Sequence, residues 1–96
     1  MINPKQRAYL KGLAHDMEPL LLIGKGGISE NTLKQLDDLL KKRELIKVKI
    51  LNNNLDDKNE IVETILDNLN AEFVQIIGSK FVVYRESKEK KIELPK

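Results

Sequence analysis

The sequence predicts one domain of the α/β class, in the α+β two-layer type, with elements in the order α-β-α-β-α-β-β and four strands in one mixed sheet. Three observations predict it. Apolar residues recur at helical spacing in three stretches, and alternating or wholly apolar runs of strand length stand between and after them. Capping residues mark where the first two helices start, and the closing pair of strands is joined by only Gly78-Ser79-Lys80. Ninety-six residues suffice for a single core but not for a core plus a deep catalytic cleft.

Asn3 is placed to cap the first helix, with Pro4 at its first position and Gln6 three residues past the cap. Leu10, Leu13, Ala14 and Met17 give it an apolar stripe, and it should end near residues 15–17. Residues 20–23 read as a strand, followed by the glycine turn Gly24-Lys25-Gly26-Gly27. Ser29 then caps the second helix, Ile28 and Leu33 occupy the hydrophobic-staple positions, and Leu33, Leu36, Leu39 and Leu40 supply the buried stripe. Lys34 and Lys41 project from the other side.

Residues 45–51 alternate at period two, with Lys47 and Lys49 on the wetter face. Asn52-Asn53-Asn54 reads as a turn. A third helix near residues 57–70 buries Ile61, Val62, Ile65, Leu66 and Leu69, which leaves Glu60, Glu63 and Asp67 as an acidic outer stripe. Residues 72–77 and 81–85 form an antiparallel hairpin, and the unbroken apolar run Phe81-Val82-Val83-Tyr84 suggests a strand covered on both faces. The two strand-helix-strand units should be right-handed crossovers with parallel strands. Residues 1–85 form the domain, and 86–96 read as a charged, mobile tail in which Ile92 and Leu94 could lie along it.

The charge is unevenly spread. Residues 1–49 carry ten Lys/Arg against six Asp/Glu, and residues 50–96 seven against nine, so a polyanion should meet the N-terminal half. The run from Leu20 to Ser29 sharpens that expectation. It gathers backbone N–H groups, a helix N-terminus and Lys25 around one point, and all three favour phosphate. Arg7 and Lys11 stand one helical turn apart on a flank of the first helix, and Lys41, Lys42 and Arg43 close the second.

Other functions find little support. No apolar run approaches the ~20 residues that cross a membrane. There is no cysteine and no apolar N-terminal signal segment, so cytoplasmic residence is the simplest expectation. His15 is the single histidine and falls at a helix end, and no nucleophile, base and orienting group come together, so no enzyme is expected. Asp37-Asp38 and Asp56-Asp57 lack the spacing of a calcium loop, so no metal is expected. The glycine turn lacks the P-loop spacing, and Ser29 occupies the third glycine position of the dinucleotide fingerprint, so no nucleotide cofactor is expected either. Tyr9, Phe73, Phe81 and Tyr84 can all be read as core, which leaves no platform for stacking bases.

Lys5-Gln6-Arg7-Ala8-Tyr9-Leu10, Leu13-Ala14-His15, Pro19, Ile23-Gly24-Lys25-Gly26-Gly27, Glu44-Leu45-Ile46-Lys47-Val48-Lys49 and Val82-Val83-Tyr84-Arg85 together resemble the YhbY-type family of single bacterial CRM domains (chloroplast RNA splicing and ribosome maturation). The resemblance runs in order from residue 3 to about 85. It implies an RNA-binding module with a fold similar to the C-terminal domain of bacterial translation initiation factor three, and hence the strand order 1-2-4-3. It also implies association with precursors of the large ribosomal subunit, and a loop comparable to the GxxG element of KH domains on Gly24, Lys25, Gly26 and Gly27. The expected RNA-binding set is therefore this loop with Arg7, Lys11, Lys34, Lys41, Lys42 and Arg43. The alternative from another class is a small protein-interaction domain whose glycine loop is only a turn.

Overall fold

A computed structural model describes residues 2–52, 54 and 56–96. The elements are α1 (Pro4–Ala14), β1 (Leu21–Ile23), α2 (Glu30–Arg43), β2 (Leu45–Ile50), α3 (Lys58–Leu69), β3 (Glu72–Ile77) and β4 (Lys80–Tyr84), in the succession read from the sequence. The first two helices start where their predicted caps stand, and Asp57 caps the third. Asn3 and Gln6 form a reciprocal capping box on α1, the Ser29 hydroxyl accepts from the Thr32 N–H, and the Asp57 carboxylate accepts from the Asn59 N–H. Of the expected turn at residues 52–54, residue 53 lies outside the described residues, and the Asn54 N–H donates to the Leu51 carbonyl.

The four strands form one sheet in the order β1-β2-β4-β3. β1 runs parallel to β2, while β4 is antiparallel to both β2 and β3, so the long apolar run 81–84 is the interior strand that its composition required. Gly78, at φ 58°, supplies the left-handed conformation that lets β3 turn tightly into β4.

Two apolar clusters sit on opposite faces of this sheet. The larger packs Leu36 and Leu40 of α2 and Ile61, Ile65 and Leu69 of α3 against Ile46, Val48, Phe81 and Val83. The smaller packs Leu10 and Ala14 of α1 against Leu45, Val74, Val82 and Tyr84, with Ile92 and Leu94 of the C-terminal segment laid against it. The fold is the expected α+β type with a mixed four-stranded sheet, and α1 adds partial cover on the face away from α2 and α3. Because α1 meets the sheet along only one strip, Leu13 and Tyr9 stay 42% and 43% exposed, and neither joins the core as expected. Tyr84 is buried, and that burial, followed by the charges of Glu44, Glu86 and Glu72, pushes its hydroxyl pKa up to about 12, so it remains neutral.

Glu44 fastens the far end of the sheet. It caps α2 with φ 66°, an unusual conformation for a side-chain-bearing residue, and its buried carboxylate accepts from the Ser87 N–H, the Ser87 hydroxyl and the Ile92 N–H. The Gln6 amide and the Lys5 ammonium donate to the Pro95 and Lys96 carbonyls, so residues 86–96 lie along the domain in this structure. Arg85 donates to the Leu69 carbonyl and pairs with Asp37 at 2.9 Å, tying β4 to α3 and α2.

Candidate nucleic-acid interface

The loop from Gly24 to Gly27 leaves β1 and enters α2 through the Ser29 cap. The Gly24 carbonyl accepts from the Gly27 N–H at 3.0 Å and from the Asn54 side-chain amide at 2.7 Å, which fixes the turn against the segment following β2. Gly27 sits at φ 64°, and a Cβ there would stand 2.7 Å from the Asp56 carboxylate. Its glycine is thus required twice over, by conformation and by space. Lys25 and Gly26 are exposed, and a Cβ on Gly26 would meet nothing within 4 Å. The loop presents its two middle residues outward, ahead of the positive end of the α2 dipole, as an anion-binding turn requires.

The surroundings of that loop are polarised. On its α3 side lies a recess of about 370 Å³ lined by Glu30, Asp56 and Glu60 among others, with no cation in its lining. Across the sheet from the loop, at the opposite edge strand β3, Arg7 and Lys11 line a recess with Phe73, Gln75 and Ile77, and no described carboxylate lines it. The Arg7 Nε–H donates to the Phe73 carbonyl at 3.1 Å, so part of this guanidinium anchors α1 to β3.

The basic residues at the end of α2 are a separate group. A helix of 14 residues sets Lys41, Lys42 and Arg43 about 20 Å from the loop at its N-terminus. Lys41 is also engaged with Asp37 at 3.0 Å, and these two cations, Lys41 first and Arg85 second, donate the hydrogen bonds that hold the Asp37 carboxyl below its ordinary pKa. Lys34 is exposed on α2, in the layer across the sheet from α1. The structure brings Arg7 and Lys11 together with one another, and sets the α2 cations on the other side of the sheet.

Comparison with known proteins agrees with this architecture. The profile of the CRS1/YhbY (CRM) domain matches residues 2–85. This chain belongs to the CRM domain family. It is 44% identical over 96 residues to the "Probable RNA-binding protein YqeI" of Bacillus subtilis (strain 168), covering 99% of this chain and 100% of that protein. An "RNA-binding protein" of Haemophilus influenzae is 39% identical over 95 residues, covering 99% of this chain and 96% of that one. The solution structure of the hypothetical protein SAV1595 from Staphylococcus aureus superposes with a TM-score of 0.83 at 57% identity, over 99% of this chain and 100% of the other.

Within this CRM domain some residues that shape the candidate interface are not legible in the sequence alone. Asn54 and Asp56 buttress the glycine loop from the segment following β2, and an Asn or Asp in a turn carries no sequence mark of the loop it will touch. Lys47 and Lys49 were legible as a wetter strand face. Lys80 could join them only through the strand register, in which Lys49 pairs with both Leu22 and Lys80.

Proposed function

We propose that this protein binds structured RNA, clamping its sugar-phosphate backbone with the Gly24-Lys25-Gly26-Gly27 loop and the basic residues of the N-terminal half, and that its RNA is ribosomal, in a precursor of the large subunit. The observation that carries this reading is the loop itself: an exposed lysine and an unhindered glycine at the positive end of α2, in a chain whose relatives are named RNA-binding proteins. Arg7 and Lys11 add cations on the sheet face that carries α1, beside β3 and across the sheet from the loop. Contacts made this way read backbone and shape more than base sequence. On this reading the protein acts in the cytoplasm and assists subunit assembly without performing a reaction of its own.

The test is the double variant Lys25→Asp/Gly26→Asp. Both positions are exposed and Gly26 has room for a side chain, so the variant should melt as the wild type does. Its affinity for a large-subunit ribosomal RNA fragment at low salt should fall, because two carboxylates then face the phosphates. Undiminished affinity in the folded variant would remove the loop from the interface. Crosslinking in cells should recover large-subunit ribosomal RNA fragments, and their absence among the recovered RNA would overturn the choice of target.

A further inference from the structure

The face of the sheet that carries α1 is covered at only one end. Toward the Glu44 end it is closed by α1 and the C-terminal segment; toward the glycine-loop end it lies open. The register sets a row across all four strands of this open part: Leu22 of β1, Lys49 of β2, Lys80 of β4 and Ile77 of β3. The next row inward places Lys47 beside Val82 and Gln75. Leu22 is 58% and Ile77 67% exposed, so none of the described residues covers the row. A shallow recess of about 140 Å³ lined by Lys47, Lys80, Gln75 and Ile77 adjoins the larger one beside Arg7 and Lys11, and no carboxylate lines either.

We propose that this open sheet face is a second RNA-binding surface, taking a single strand that runs from the glycine loop across Lys49, Lys80 and Lys47 to Arg7 and Lys11. It rests on the reading of the loop as an RNA contact and extends it. Four arguments support it. Lys47, Lys49 and Lys80 form no ion pair among the described residues, so their charge faces outward uncompensated. Lysines two residues apart on a strand stand about 6.7 Å apart, and those on neighbouring strands about 4.8 Å, which suits successive phosphates of an extended strand. The row ends next to the loop, because Ile23, the residue before Gly24, pairs with Ile50, the residue after Lys49. The opposite flank of the loop is lined by Glu30, Asp56 and Glu60, so a polyanion seated on the loop is directed onto the sheet face. No aromatic ring stands in the row, so the strand is held by its phosphates and not by stacked bases.

The test compares the wild type with sheet and loop variants on two probes, a twelve-residue oligouridine and the ribosomal RNA fragment, each titrated over a range of salt. The sheet variant is Lys47→Thr/Lys49→Thr/Lys80→Thr, which keeps residues suited to strands, and the loop variant is Lys25→Asp/Gly26→Asp. The sheet variant should lose about 0.7 in the salt slope for oligouridine per lost contact, or about fivefold in affinity each at 0.1 M salt, on the order of 10²-fold for three. Replacing the same three lysines by arginine should restore binding. If the threonine variant melts early, Lys80→Glu alone, at an exposed position, should give a loss of the same sign. Wild-type slope and affinity in a folded sheet variant, with the loop variant impaired, would overturn this proposal and leave the loop reading standing. No RNA binding by the wild type would overturn both.

Discussion

Gly27 shows how one residue joins fold to site. Its φ of 64° lies where an L side chain costs about 1–2 kcal/mol, and a Cβ there would press on the Asp56 carboxylate at 2.7 Å. Gly26, one residue earlier, bears neither constraint. Gly27→Ala should therefore lower unfolding stability by about 1–2 kcal/mol in a denaturant titration, while Gly26→Ala should stay within about 0.5 kcal/mol of the wild type. Equal effects at the two positions would contradict the loop geometry. The need for glycine in this loop was legible in the sequence from its place between a strand and a capped helix. The reason at Gly27 was not, because Asp56 is distant in the chain and meets it only once the segment after β2 folds back.

At the scale of elements, the joint between the α2 terminus and the C-terminal segment depends on Glu44. Burial opposes ionisation of its carboxyl, but hydrogen bonds from the Ser87 hydroxyl and N–H and from the Ile92 N–H outweigh burial and hold its pKa below the ordinary value. The unfolded chain therefore binds this proton more readily than the folded one. The stabilisation is complete above the ordinary glutamate range, near pH 4.3, and is lost as pH falls through the lower folded value. Glu44→Gln should be less stable at neutral pH and should lose less stability than the wild type between about pH 5 and pH 3; parallel pH profiles would contradict the role given to Glu44. The starts of the first two helices were legible because Asn3 and Ser29 act on neighbours three residues away. The central position of β4 was legible because burial on both faces leaves an unbroken apolar run. What the sequence hid was set by contacts between distant segments: the partial cover by α1 that leaves Leu13 and Tyr9 exposed, the irregular register between Phe73 and Gln75, and the alignment of Lys80 with Lys49.

For the whole molecule, the decisive property is the direction of its charge. The asymmetry counted along the chain becomes an asymmetry in space only in part. Lys41, Lys42 and Arg43 belong to the basic half yet lie at the far end of α2, whereas Lys80 comes from the acidic half and joins the basic face by register. Glu60, Glu63 and Asp67 are exposed along α3, and at physiological salt their repulsion reaches about 8 Å. RNA should therefore approach the glycine loop from the α1 side and leave α3 untouched. Amide chemical-shift mapping during titration with a ribosomal RNA fragment tests this most directly. Shifts are expected at residues 24–30, along α1 and at Lys47, Lys49 and Lys80, with the exposed positions of residues 60–67 unmoved; shifts confined to residues 60–67, with none at the glycine loop, would contradict this direction of approach.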